Sequence, residues 1–335
     1  MSPSPSLPPP SWSPSLDRTS SRRPAVAILA LLVAAVVLTH DHVTPNLEVE
    51  GMLRLAAPTR PWTLVGKNWQ LASTASEEPA ITDVAEGTRG GCAPGMVEVQ
   101  GSMKVDSEKG NVELLQDTTC ADWINHTFPE RCATFDRDRW RSLVSELPVK
   151  PLHFCIDRYE YPDRKGAYPV IAVTWYEART LCAERSERLC TEDEWTFACE
   201  GEEALPYPTG YTRSEAACVI DRPWKFFDER LLADRDSTLA LEEIDYVWQG
   251  EASGSRPACR SPFGVYDTTG NVDEWTRSVE HDGYSSIFKG GYWGPVRARC
   301  RASTRAHNEE FYFYQQGFRC CADAPAPVTT EVAKP

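Results

Sequence analysis

The amino-acid sequence predicts a disulfide-stapled α+β domain with little regular secondary structure, preceded by one transmembrane helix. Three observations support this prediction. One uncharged apolar run lies near the N-terminus, all twelve cysteines lie beyond residue 91, and the cysteine-containing part alternates short strand-like runs with two capped helices. The chain has 335 residues, of which 41% are hydrophobic, so it is long enough to bury a large core.

The N-terminal segment has the composition of a polar tail followed by a membrane anchor. Residues 1–23 are dominated by Ser and Pro, so we expect a disordered cytoplasmic tail. The run from Ala25 to Leu38 has no charged residue, arginines precede it and acidic residues follow it. Region 24–39 is therefore predicted to be a signal anchor with the bulk of the chain outside the cytoplasm. Because the run is shorter than the ~20 residues of a typical span, a cleavable signal peptide is the alternative.

Composition divides the rest of the chain into three parts. Residues 40–90 mix Pro, Ser, Thr and acidic residues without a sustained hydrophobic period, which predicts a stalk or a loosely packed extension. Residues 91–323 form one predicted domain, which would lie in the periplasm if the source is bacterial. Residues 324–335 are rich in Pro, Ala and Thr and are predicted to form a disordered tail.

Charge and cysteine usage exclude two classes of function. The formal net charge of −14 disfavours nucleic acid as a partner. An even number of cysteines confined to the part predicted to be exported favours disulfides in an oxidising compartment. There is no C-x-x-C pair and the histidines are scattered, which disfavours a zinc site.

Two helix starts are defined by capping boxes. Thr174 is followed three residues later by Glu177, and Thr191 is followed in the same way by Glu194. In this pattern each side chain accepts a hydrogen bond from an otherwise unpaired backbone amide of the first turn. The second helix is expected to end at Gly201.

Six successive runs then resemble signatures of the formylglycine-generating enzyme, or sulfatase-modifying factor, family. The runs are 95–99 (GMVEV), 169–178 (PVIAVTWYEA), 188–195 (RLCTEDEW), 264–275 (GVYDTTGNVDEW), 290–293 (GGYW) and 317–319 (GFR). Their order and spacing match over about 230 residues. The resemblance implies a C-type-lectin-like fold, which this family uses for oxidases and for non-catalytic members alike.

The family's oxidases bind Cu(I) through two cysteines shortly after Gly-Gly-x-Trp, because soft thiolates suit that ion. The corresponding stretch from Gly290 to Cys300 holds one cysteine. Aligned without gaps from Trp293, Cys300 falls on the second copper cysteine and Pro295 replaces the first. Aligned on Arg-x-Arg-Cys, Cys300 matches a structural cysteine. Cys300 is thus a candidate catalytic residue or, in the reading we prefer, a disulfide partner, and copper is disfavoured.

The resemblance also implies a set of disulfides. It pairs two cysteines of the predicted helices with cysteines of the C-terminal segment. Cys190 and Cys321 lie beside the first of these pairs, and this placement suggests a further bridge. Cys120 and Cys132 are close in sequence and are expected to form a local bridge. The expected bridges are Cys182–Cys320, Cys199–Cys300, Cys190–Cys321 and Cys120–Cys132. The pairing of the other four cysteines stays open.

A calcium loop is the next implied site. Asp267, Gly270, Val272 and Glu274 match family positions at which two side-chain oxygens and two carbonyl oxygens surround a structural calcium ion. The alternative is that Asp267 and Glu274 only cap turns. A second calcium position of the family falls near Asp221, but an expected Asn is replaced there by Val219.

A ligand groove is suggested by the segment before the last signature. His307 lies where the family forms its substrate groove, with simple solvation as the alternative. The aromatic run from Phe311 to Tyr314 alternates inward and outward side chains, so half of it is expected to line a groove.

Three functions fit these features. The first is a membrane-anchored, extracytoplasmic, non-copper binding or maturation factor with a protein, peptide or glycan ligand. The second is an oxidoreductase of the family that acts on a peptide-derived precursor. The third is a sulfatase-activating, formylglycine-generating oxidase whose second thiol comes from elsewhere in the chain, for example Cys321.

Overall fold

The computed structural model describes most of the chain after residue 59. The described residues are 60–73, 78–79, 91–107, 110–278 and 283–325. The predicted tail 1–23 and anchor 24–39 lie outside them, as does most of the predicted stalk. No helix among the described residues is long and apolar enough to cross a bilayer.

Regular structure in the described residues consists of short elements. The helices are α1 (Leu115–Thr119), α2 (Arg137–Ser145), α3 (Trp175–Glu184), α4 (Glu192–Glu200) and α5 (Thr238–Val247), with a 3-10 turn at Glu229–Leu232. The first strands are β1 (Trp62–Val65), β2 (Asn68–Leu71), β3 (Glu78–Pro79), β4 (Met96–Lys104), β5 (Cys120–Asn125), β6 (Arg131–Phe135), β7 (Val149–Asp157), β8 (Arg164–Lys165) and β9 (Val170–Ile171). The later strands are β10 (Arg188–Leu189), β11 (Asp273–Arg277), β12 (Ser286–Lys289), β13 (Ser303–Thr304), β14 (Gln316–Phe318) and β15 (Cys320–Asp323).

Two four-stranded sheets position the later site. The first has the order β10-β15-β7-β4 and is antiparallel throughout. The second has the order β13-β12-β11-β14, and β14 runs parallel to β11. The parallel register sets Asp273 opposite Gln316 and Trp275 opposite Phe318. The C-terminal segment therefore contributes to both sheets, through β14 to one and β15 to the other.

Both predicted capping boxes are present. Thr174 accepts a hydrogen bond from the amide of Glu177, whose carboxylate accepts one from the amide of Thr174, and α3 begins at the next residue. The same reciprocal pair joins Thr191 and Glu194 at the start of α4. That helix ends at Gly201, which has a φ of 67°, a conformation that residues with a Cβ rarely adopt.

The prediction for residues 40–90 needs one correction, because the described residues 60–73 of this segment pack on the domain. Part of it forms the hairpin β1–β2, which adds to β9 through the pairing of Trp69 with Ile171. Trp69 is buried, and Trp62 packs edge-on against Trp248 with ring centroids 5.5 Å apart. The two isolated tryptophans of this segment supply the apolar surface that packs it on the domain, which explains the difference from the prediction.

Six disulfides connect the elements and use every cysteine. The four expected bridges, Cys182–Cys320, Cys199–Cys300, Cys190–Cys321 and Cys120–Cys132, are all present. The four cysteines whose pairing the sequence left open form Cys92–Cys155 and Cys218–Cys259. Such a set indicates an oxidising compartment.

The bridges should differ in their contribution to stability because they close loops of different length. Cys182 and Cys320 are 138 residues apart, whereas Cys120 and Cys132 are 12 apart. From loop entropy alone, the first bridge is worth ~5 kcal/mol and the second ~3 kcal/mol. We expect Cys182→Ala/Cys320→Ala to lower the free energy of unfolding, measured with guanidinium, by more than Cys120→Ala/Cys132→Ala. Equal losses would contradict the entropic account.

Candidate functional site

A buried ion pair joins the 264–275 signature to the C-terminal one. Arg319 lies between β14 and β15, and its Nε and Nη2 donate to the two carboxylate oxygens of Glu274 at 2.6 Å each. Trp195 of α4 donates to the same carboxylate at 2.7 Å, and Arg319 also reaches the carbonyl of Tyr266 at 2.9 Å. Arg319 and Glu274 are fully buried. This pair therefore connects a helix, a loop and both large sheets.

Two further carboxylates face the same guanidinium. Glu160 accepts hydrogen bonds from Ser253 and from the carboxamide of Asn271, and Asp267 accepts one from the amide of Gly254 at 2.7 Å. Burial, followed by the charges of Asp267 and Glu274, raises the pKa of Glu160 well above its usual range. Burial also raises the pKa of Asp267 to about 7. Three acids thus share one arginine, and burial favours the protonated form of the two that do not pair with it directly.

A cavity of about 450 Å³ lies on the other face of β11. Because successive residues of a strand point to opposite faces, Glu274 faces Arg319 while Asp273 lines the cavity. The aromatic side chains that line it are Phe128, Phe288, Tyr292, Phe311 and Phe313. Its volume lies within the range of small-molecule and side-chain pockets.

The segment between β13 and β14 forms one wall of this cavity. Phe311 and Phe313 line it, whereas the hydroxyl of Tyr312 donates to the carbonyl of Ala233 away from it. This is the alternation that the sequence predicted. His307 also lines the cavity and stacks on Phe311 with ring centroids 3.8 Å apart. Burial lowers the pKa of His307, which favours the neutral imidazole at pH 7.

Sequence reasoning missed three polar residues of the cavity. These are Asp273, Gln315 and Gln316. The sequence signal available for Asp273 was strand alternation through 273–275, which places Asp273 and Glu274 on opposite faces of the strand. The residues that contact the Asp273 face of β11 are set by β14. The two strands pair through residues that are more than forty positions apart in the sequence.

A second cavity, of about 530 Å³, is bounded by charged groups that pair with one another. The buried ammonium of Lys289 donates to the hydroxyl of Ser303 at 3.0 Å, and burial lowers its pKa to about 8. Arg301 pairs with Glu200 at 2.6 Å, and Arg305 pairs with Glu192 at 2.8 Å. These pairings leave no evident surplus charge for a ligand.

With this geometry in place, comparison with known proteins becomes informative. The family described as "Sulfatase-modifying factor enzyme 1-like domain" matches residues 143–324, more than half of the chain. The chain belongs to this family. Four bridges and the pair Arg319–Glu274 lie within the matched range; the bridges are Cys182–Cys320, Cys190–Cys321, Cys199–Cys300 and Cys218–Cys259.

Curated relatives include one that is named as inactive and one that is named as an enzyme. The bovine (Bos taurus) "Inactive C-alpha-formylglycine-generating enzyme 2" is 30% identical over 56% of this chain and 62% of its own length. The mouse (Mus musculus) "Formylglycine-generating enzyme" is 26% identical over 53% of this chain and 50% of its own. The chain thus spans about half to three fifths of the length of these two relatives.

Solved structures show similarity at low identity. CarF is 14% identical, with a TM-score of 0.44 over 69% of this chain and 98% of its own. PvdO from Pseudomonas aeruginosa is 17% identical, with a TM-score of 0.39 over 68% of this chain and 94% of its own.

The sulfatase-modifying factor family's copper site does not fit this chain. Cu(I) there requires two thiolates, but Cys300 is bonded to Cys199 and Cys321 is bonded to Cys190. All twelve cysteines lie in disulfides, so none is a free thiol. The catalytic interpretation of Cys300 is therefore replaced by the structural one, and Cys321 cannot supply a second thiol.

The calcium loop fits a cation better. Gly270 has a φ of 82°, and a Cβ there would lie 2.3 Å from the carbonyl oxygen of Val219, so the tight loop requires glycine. Asp267 accepts a hydrogen bond at its Oδ2 from the amide of Gly254. Glu274 is held by Arg319, but a carboxylate has about four lone-pair sites and can be shared with an ion. Asp267, Glu274 and the carbonyls of Gly270 and Val272 would hold the ion, and calcium would add structural rigidity.

At the family's second calcium position, arginine takes the place of the ion. Asp221 accepts hydrogen bonds from Arg213 at 2.6 and 2.9 Å and from Arg131 at 2.9 Å. Burial raises the pKa of Asp221, but the two guanidinium groups outweigh it and the net shift is downward. Two protein cations thus satisfy this carboxylate.

The buried pair gives a stability prediction. Arg319→Met leaves Glu274, Glu160 and Asp267 buried without their common cation, which should lower the free energy of unfolding by on the order of 3–5 kcal/mol. The matched control is Arg230→Met, because Arg230 pairs with Asp228 at the surface, where an ion pair contributes little. Denaturant unfolding measures both variants. Similar stabilities for the two would contradict the role assigned to Arg319.

Proposed function

We propose that this chain is a membrane-anchored, extracytoplasmic binding or maturation factor of the sulfatase-modifying factor family that does not use copper. The observation that supports this most directly is the pairing of all twelve cysteines, Cys300 included. The anchor is the apolar run from Ala25 to Leu38, and the C-type-lectin-like architecture implied by the resemblance is part of the proposal.

The cavity beside β11 is the proposed ligand site. Its aromatic walls and few polar groups match the composition of pockets that bury a ligand. The ligand is a segment of a peptide or protein, since the cavity opens beside exposed aromatic surface at Phe128. A relative of 30% identity is itself named as inactive, which is in line with a family member that binds without oxidising.

The competing function is that of an oxidase, which requires free thiols. Oxidation by Cu(I) would require that Cys300 and a second cysteine be released from their bridges. Reduction of Cys199–Cys300 would free a thiol on α4 and one in the loop before β13. The oxidase function therefore predicts that mild reduction should create a Cu(I) site.

Copper loading separates the two functions. We expect the purified full chain, with its disulfides intact, to take up no stoichiometric Cu(I) in competition with a chromogenic chelator. We expect Cu(I) bound to thiols freed by mild reduction to support no oxidation of a peptide. A Cys-x-Pro-x-Arg peptide should stay unmodified by mass spectrometry, with an active formylglycine-generating enzyme as positive control. Stoichiometric Cu(I) uptake with conversion of the peptide, both lost in Cys300→Ala, would overturn the proposal.

The proposed calcium ion gives an independent prediction. Calcium at one hundred times its dissociation constant would stabilise the fold by about 2.7 kcal/mol. We expect the melting temperature to rise by several degrees on adding calcium to chelator-treated protein, and this rise to disappear in Asp267→Asn. Magnesium is the control, because it prefers a smaller, octahedral site. The calcium assignment fails if the melting temperature does not respond.

A further inference from the structure

The cavity beside β11 carries a carboxylate without a cationic partner. Asp273 accepts a hydrogen bond from the amide of Gly291, and none of the ion pairs among the described residues includes it. Its neighbour Glu274 is neutralised by Arg319 on the opposite face of the strand. Burial and the charge of Glu274 raise the pKa of Asp273 to about 7, and its side chain lines the cavity with no cation beside it among the described residues.

The other charged groups of the lining do not balance this charge. Glu229 adds a second carboxylate at the wall. Arg297 is the basic residue of the lining, but it pairs with Glu113 at 3.3 Å and with Glu130 at 3.9 Å. His307 is held in its neutral form by burial. The described residues of the lining thus supply no free cation to pair with Asp273, unlike the second cavity with its paired groups.

Unpaired polar atoms support the same interpretation independently. The carboxamide oxygens of Gln315 and Gln316 are buried without a hydrogen-bond partner, although both side chains line the cavity. Gln316 is 1% exposed. Rotation of a carboxamide about its last bond presents either its oxygen or its nitrogen to the same space. Buried acceptors of this kind require a donor, and a donor in the cavity would satisfy them.

Aromatic walls complete the requirements for a cation. Phe288, Tyr292, Phe311 and Phe313 surround the same space as Asp273. The faces of aromatic rings attract ammonium and guanidinium groups, and the attraction is stronger where water is displaced. These two groups carry three and five hydrogen-bond donors and no acceptor, which suits a lining whose unpaired atoms are acceptors.

We propose that the cavity binds a basic side chain of a peptide or protein ligand, with its ammonium or guanidinium group held by Asp273 and enclosed by the aromatic rings. This inference rests on the proposed function, because it takes the cavity as the ligand site and adds the chemical class of the ligand. An acid alone or an apolar pocket alone would not select an ammonium or guanidinium group, whereas an acid enclosed by aromatic rings does.

Paired probes that differ in charge test the proposal. The full chain in detergent is titrated with the N-acetyl N-methylamides of lysine and norleucine and of arginine and citrulline, and binding is followed by ligand-observed NMR. Each pair keeps a similar carbon skeleton and removes the positive charge. We expect the charged member of each pair to bind at least tenfold more tightly than the neutral one.

Variants assign the preference to Asp273. Asp273→Asn should abolish the difference within each pair, whereas Asp236→Asn, which removes the same charge from an exposed position outside the lining, should preserve it. Circular dichroism and thermal melting check that both variants are folded. A variant that fails to fold is replaced by Asp273→Ser, with the same expectation.

Each outcome decides the inference separately from the proposed function. Equal binding of charged and neutral probes, no binding of any probe, or a preference that survives Asp273→Asn overturns the inference. The copper assay involves no side-chain charge and tests the proposed function alone. Loss of the charge preference together with negative copper loading would leave the function in place and reassign its ligand.

Discussion

The ion pair between Arg319 and Glu274 is the constraint on which the rest of the structure depends. It lies where the parallel strands β11 and β14 end and β15 begins, so it holds the second large sheet against the first. Trp195 adds α4 to the same carboxylate. A buried charge must be satisfied where it lies, so the loops around it have little freedom to shift. The position of β11, and hence of the cavity on its other face, follows from this pair.

Local patterns in the sequence predicted local structure well. The Thr and Glu of each capping box are three residues apart, so their mutual hydrogen bonds needed no knowledge of the fold. The family resemblance supplied longer-range information, including the bridge from Cys199 to Cys300. Trp62 and Trp69 were assigned to a stalk because strands of four residues show too little alternation to be recognised. The partner of Trp69 is Ile171 and that of Trp62 is Trp248, and both lie more than one hundred residues further along the chain.

The candidate site was predictable only in part, for the same reason. Alternation correctly divided the run that contains Phe311 and Phe313, because a strand-like segment carries that information in its own sequence. Asp273 is different, since its meaning comes from Gln316 and from the rings across the cavity. Asp273 is one of several acids in its signature, and the sequence alone does not distinguish it from the others. The fold does, because Arg319 neutralises the neighbouring Glu274 and leaves Asp273 without a cationic partner.

The adjacent cysteines Cys320 and Cys321 have a consequence for how tightly one short stretch of the chain is held. Neighbouring strand residues face opposite ways, so one joins α3 while the other joins the loop after β10. Arg319 precedes them directly, so three successive residues supply the arginine that neutralises the interior and two covalent ties. A shift of this stretch would therefore disturb a buried charge and two disulfides at once.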